Sequence, residues 1–254
     1  MNVNDWLLVP LFNGLLMTSL LALAGVGLLL RGSVWQVLAV SQWAAVGGVL
    51  ASVIALPVLA PSLAFAALAL GIQRRWCDAE RLSLMLFLAG LAAVTLLVAN
   101  LSQASLAAAR WADGQLYFTG PHELAWITAL LAASLAMLPV LRRVWLHAQL
   151  TPDQSGRPGP TPLSRIMELT WLVLVIVVGT QSLGVSGAMA TLLLPSWSAA
   201  RVAGNLLQLM IWAQFLAVSG FAIAWVGSLW LDQPFAPALV LVQLMLFLLL
   251  LAWR

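Results

Sequence analysis

Two adjacent polar residues, Ser41 and Gln42, stand inside an otherwise apolar stretch, followed closely by Ala44, Ala45, Gly47 and Gly48. Asn13, Gln181, Ser186, Asn205, Gln208, Gln214 and Gln243 occupy similar settings. Hydroxyls and amides offer neutral hydrogen-bond donors and acceptors, and no titratable proton near neutral pH. They can join helices to one another, or they can line a polar path. The small residues after Gln42 fit either reading, because they let helices approach closely or leave room.

Much other chemistry is excluded by what the long apolar runs lack. They hold no Asp, Glu, His or Arg at their centres, whereas proton relays and intramembrane ion sites depend on such groups. Gly184-Val-Ser-Gly187 has the outline of a nucleophile motif, but an activated serine needs a base and none is available at that depth. His122 and His147 both fall in connecting segments, which disfavours haem ligation. Cys77 is the sole cysteine, so neither an intrachain disulfide nor a multi-cysteine metal site is available.

The elements that position these residues follow from composition. Of 254 residues, 63% are hydrophobic and 7% charged. Such a chain cannot cover itself with polar surface, so the bilayer is its solvent and spanning elements must satisfy their own backbone. The apolar runs are continuous rather than alternating, which selects helices over a barrel. The N-terminus does not read as a cleavable signal peptide, because Asp5 precedes the first run and no basic residue does. The fold class is an all-α, polytopic transmembrane bundle in one domain over residues 1–254.

A span needs about 20 apolar residues. Residues 6–30 make one, and 32–73 make two, broken at Pro57 and Pro61. Residues 82–109 and 124–141 add one each, and 169–200 adds one full and one short, with Gly184 and Gly187 near the break. Residues 202–231 and 233–253 complete about nine crossings; taking 169–200 as single gives eight. All eleven basic residues are arginine. With nine crossings and the N-terminus outside, all but Arg110 fall on the cytoplasmic side, as the positive-inside rule favours. Scattered singly or in pairs, they read as topology signals and not as a nucleic-acid patch. Trp6, Trp171, Trp230 and Trp253 sit at span ends as an interfacial belt, while the methionines read as packing.

Two connections stand out. The outer one, about 101–122, carries Trp111, Asp113, Tyr117 and His122. The inner one, about 142–166, is the most polar stretch and includes the Pro/Gly-rich run 151–162, which precludes a long helix there.

The stretch from Gln181 to Arg201 contains Gln-x-x-Gly-Val at 181–185, an apolar run, Pro195, and then Ala199-Ala-Arg201. It resembles the signature of the ABC-3 family of permeases of zinc, manganese and iron importers. Leu231-Asp-Gln-Pro234 and Leu116-Tyr-Phe-Thr-Gly120 are similar to further family segments, so the resemblance covers nearly the whole chain. It implies a homodimer in the bacterial inner membrane, a cytoplasmic ABC ATPase and a periplasmic substrate-binding protein. It also implies a path lined by Ser41 and Gln42, with Gln181 as a further candidate. No Gly-x4-Gly-Lys-Ser/Thr motif is present, so ATP would be bound by the partner and the chain is not itself an enzyme. On this reading the inner segment docks the ATPase through Arg142, Arg143, Asp153, Arg157 and Arg165.

One departure bears on substrate. Where zinc and manganese members of the family carry an Asp and a His four residues apart, this chain has Leu38 and Gln42. No fixed metal ligand is expected in the chain. Iron, released from or carried with a siderophore, is therefore favoured over zinc or manganese. A vitamin- or siderophore-type importer, a non-transport assembly subunit and a membrane enzyme are the competing classes.

Overall fold

The computed structural model describes residues 5–32, 34–75, 79–149 and 160–252. Asp5–Arg31 (α1), Val34–Val53 (α2), Leu59–Arg75 (α3), Ala79–Asn100 (α4) and Ser102–Asp113 (α5) are followed by a 3-10 turn, Leu116–Phe118. Pro121–Gln149 (α6), Pro162–Ala200 (α7), Leu206–Leu231 (α8) and Phe235–Ala252 (α9) complete the described elements, among which there is no strand.

Pro57 lies in the break between α2 and α3, and Pro61 in the first turn of α3, as the sequence indicates. The run 82–109 splits into α4 and α5. Neither Arg142-Arg143 nor Arg165 lies in a loop: α6 continues through the first pair to Gln149, and α7 begins at Pro162. The inner connection is thus shorter than 142–166, because a helix that leaves the apolar layer keeps its hydrogen-bond ladder. Asn205 and Gln208 are not in mid-span. Asn205 caps α8 by accepting from the Gln208 N–H at 2.8 Å, and Gln208 Oε1 accepts from the Gly204 N–H at 2.8 Å. This is a reciprocal cap of the kind that satisfies orphan donors at helix starts.

α7 has 39 residues. A straight helix of that length would run about 58 Å, twice a bilayer core of ~30 Å. It does not run straight. Arg31 of α1 pairs with Glu168, Leu21 meets Gly179, and Gly25 meets Leu192 and Ser196. As α7 advances from 168 to 179, its partner on α1 moves from 31 to 21, and by 192 it has returned to 25. The chain doubles back at Gly184, whose φ of 77° and ψ of 163° break the helix. Among the described residues, seven helices are long and apolar enough to cross a membrane. With α3 and the second leg of α7 added, nine described segments reach from one face of the bundle toward the other.

The two faces differ in character. One gathers Arg31 and Arg74 in the last turns of α1 and α3, Arg143 in the closing part of α6 and Arg165 in the first turn of α7. The other holds Tyr117, Phe221, Trp225 and Phe235, whose rings pack with centroids 5.2–6.4 Å apart. The core lies among α1, α7, α8 and α9. α4 and α6 turn Met85, Leu96, Trp126 and Leu135 outward.

Candidate translocation site

α2 brings Ser41 and Gln42 into the bundle on a helix whose small residues are all in use. Added Cβ atoms at Gly47 and Gly48 would lie 2.5 Å from the Pro61 carbonyl oxygen and 1.9 Å from the Trp111 ring. The small residues therefore bring α3 and α5 hard against α2. Ser41 is fully buried, and its Oγ donates to the Leu38 carbonyl at 2.9 Å. Leu38 packs on the main core. Gln42 lies against α4, its Cβ 3.0 Å from where a Cβ on Gly90 would stand. One residue on, the Trp43 indole N–H donates to the Leu86 carbonyl at 2.9 Å.

Gln181 precedes the reversal in α7. With the helix broken, its carbonyl accepts from the Gln115 N–H at 3.0 Å, so the turn after α5 caps the first leg of α7. Its side-chain Nε2 is buried and has no hydrogen-bond partner. No described hydrogen bond joins Ser41, Gln42 and Gln181 to one another, though the elements carrying them meet. Ala45 and Val49 of α2, Trp111 of α5 and Val185 of α7 share one cluster.

Other amides serve as helix joints. Gln214 Nε2 donates to the Ser19 carbonyl at 2.8 Å, and Gln243 Nε2 to the Ala217 carbonyl at 3.3 Å. Asn13, by contrast, is fully buried with both side-chain polar atoms unpartnered. Among the described residues no three of His, Cys, Asp or Glu are grouped so as to hold a metal ion.

At the arginine face, a buried carboxylate ties three helices together. Glu168 of α7 is 3.0 Å from the Arg31 guanidinium of α1, and its Oε1 accepts from the Trp145 indole of α6 at 2.9 Å. The Trp171 indole donates to Ser134 Oγ at 2.7 Å, and Gln149 Nε2 donates to the Leu30 carbonyl. Sequence reasoning missed this joint. Its only signal was an acid directly before one apolar run and an arginine directly after another. The exposed Arg142, Arg143 and Arg165 flank the joint, on the helices that enclose the inner connection. Asp153 and Arg157 lie outside the described residues. At the opposite face Tyr117 Oη and Ser228 Oγ are 3.0 Å apart, tying the outer turn to α8.

A many-helix bundle of long apolar spans with a doubled-back segment defines a multi-pass membrane protein. The chain belongs to the ABC 3 transport family, whose sequence pattern matches residues 4–254. No curated protein matches the sequence. The fold is similar to that of PsaBC from Streptococcus pneumoniae in complex with Fab (TM-score 0.83, 17% identity, 96% of this chain and 90% of that one). It is also similar to a metal-chelate type ABC transporter in an inward-facing conformation (TM-score 0.74, 17% identity, 97% and 86%).

Proposed function

We propose that this chain is the permease subunit of an ABC importer that carries a transition metal across the bacterial inner membrane, with iron favoured over zinc and manganese. Family membership over residues 4–254, together with a fold shared with PsaBC and with a metal-chelate type transporter, supports the transport role. Two such chains would enclose the path, a periplasmic protein would deliver the substrate and a cytoplasmic ATPase would drive the cycle. The N-terminus would lie outside, and the arginine face would meet the cytoplasm.

The observation that carries the substrate preference is the setting of Leu38 and Gln42. Leu38 is packed into the core, and Ser41 is bonded to its carbonyl. What remains for a path at this level is a hydroxyl and an amide. A hydrated divalent cation that sheds its water needs compensating ligands, most often carboxylate, imidazole or thiolate for zinc and its neighbours. A metal masked by a chelator, or one selected entirely by the delivery protein, makes no such demand. Ser41 and Gln42, with Gln181, would line the path. Arg142, Arg143 and Arg165, with Asp153 and Arg157, would contact the ATPase. Uptake of radiolabelled iron, zinc and manganese, each supplied separately to a strain lacking this gene, tests the reading. Loss of iron uptake is expected; loss of zinc or manganese uptake with iron untouched overturns it.

A further inference from the structure

We propose that the groove between α3 and the first leg of α7 binds an anionic phospholipid of the surrounding bilayer, with the headgroup phosphate on Arg74. The groove has a volume of about 330 Å³ and is open along one side. From α3 it is lined by Leu63, Leu70, Gly71 and Arg74, which share a helix face, and from α7 by Leu169 and Val173. A Cβ on Gly71 would meet nothing within 4 Å, so the groove has room at this level for ligand atoms, which a larger side chain would occupy.

The dimensions suit one acyl chain. From Leu63 to Arg74 the helix rises ~16 Å, and one leaflet of a ~30 Å core is ~15 Å deep. The apolar slot ends at the arginine face, where a headgroup would lie. Arg74 is exposed in the last turn of α3 and forms no ion pair with a described residue. The nearest acid on the adjoining leg of α7, Glu168, is buried and already paired with Arg31 at 3.0 Å. It does not compete for Arg74. Arg75 and Arg165, each exposed and next in sequence to the lining residues Arg74 and Ile166, add positive charge at this end of the two helices, as in basic interhelical pockets that take anionic headgroups. A second copy of the chain suits the slot less well. A stable protein interface needs roughly 800 Å² per partner, and this recess is one chain wide.

The test is lipid titration of the purified full chain in detergent, read by native mass spectrometry. Phosphatidylglycerol and phosphatidylcholine with identical acyl chains are the probes. Both headgroups carry the phosphate, but the choline cation cancels its charge in phosphatidylcholine, so wild type is expected to prefer the net-anionic phosphatidylglycerol about fivefold, the worth of one arginine near an anionic headgroup. Arg74→Gln should erase that preference, and Gly71→Leu, which fills the floor, should weaken both lipids. Arg110→Gln, on a different helix, should keep the preference and serves as the control for bulk charge. Retention of the preference in Arg74→Gln, or unchanged binding in Gly71→Leu, overturns the proposal. So does a Gly71→Leu variant that loses self-association while holding lipid as before, since the groove would then be covered by a second copy.

Discussion

Gly114 and Gly184 touch backbone to backbone: a Cβ on Gly114 would lie 2.4 Å from the Gly184 amide nitrogen, and one on Gly184 would lie 2.4 Å from the Ala112 carbonyl oxygen. Both residues have positive φ, 81° and 77°. The reversal of α7 and the turn after α5 are therefore one structural feature. Each supplies the space that the other fills, and the Gln115 N–H takes the carbonyl that the broken helix leaves at Gln181.

Replacing either glycine by alanine should cost about 3 kcal/mol or more, because the backbone region is almost restricted to glycine and the added methyl strikes main chain. Gly227→Ala is the control. It sits within α8 with nothing within 4 Å of an added Cβ, and should be neutral or gain up to about 1 kcal/mol in helix propensity. Thermal unfolding in detergent separates the two outcomes. Equal melting temperatures for all three variants would contradict the packing described.

Arg31→Met should destabilise more than Trp145→Phe. The first leaves the buried Glu168 carboxylate without its cation, at a cost of about 3–5 kcal/mol. The second removes one hydrogen bond to a charged group, about 1.5–3 kcal/mol. The double variant Arg31→Met/Glu168→Met should recover most of the loss, since the uncompensated charge is gone. A double variant as unstable as Arg31→Met alone would show that packing, and not charge, governs this joint.

Apolar run length and the arginines made the bundle, most of its spans and the Gly184 break legible in the sequence. Hydropathy reports depth in the bilayer, however, and not where a hydrogen-bond ladder stops. For that reason residues 142–166 read as one connection in the sequence, although Arg142, Arg143 and Arg165 extend α6 and α7. Asn205 and Gln208 resemble mid-span residues for the related reason that a helix cap and an interior amide have the same composition. The Arg31–Glu168 pair and the Gly114–Gly184 contact join residues remote in sequence, which no spacing rule connects. At the candidate site Ser41, Gln42 and Gln181 stand out as polar residues in apolar runs; the Ser41 hydroxyl returns to Leu38 of its own helix, but the neighbours of Gln42 and Gln181, Gly90 and Gln115, are set by three-dimensional packing.

Gln42→Leu should slow metal uptake while leaving expression and melting temperature near wild type. Gln42 is half-buried against α4, and its amide makes no hydrogen bond to a described residue, so leucine removes a polar group without orphaning a partner. Uptake at the wild-type rate would assign Gln42 to helix packing.

Cysteines placed singly at 113 and 142, in a variant with Cys77 replaced by serine, should label from opposite sides of the membrane. Asp113 is exposed at the end of α5 beside the aromatic face, and Arg142 is exposed on α6 near the arginine face. With the N-terminus outside, an impermeant maleimide added to intact spheroplasts should reach 113 and miss 142; labelling of 142 alone would invert the map.

Charge reversal at Arg142, Arg143 and Arg165 should reduce stimulation of the partner ATPase by loaded binding protein without lowering the yield of folded permease. All three side chains are exposed, so their loss costs little folding energy. They flank the Glu168 joint, where α1, α6 and α7 are locked together. A push on the ends of α6 and α7 is thereby delivered to α1 and, along the first leg of α7, to the Gly184 reversal. Partner contact and permease motion can accordingly be separated by measurement. Arg142→Glu with Arg143→Glu should weaken co-purification of the ATPase, and the loss should deepen with ionic strength, as for exposed charge pairs. Arg31→Met/Glu168→Met should keep co-purification and lose only the stimulation. If instead the arginine variants bind and stimulate the ATPase as wild type does at every salt concentration, the contact lies elsewhere on the arginine face.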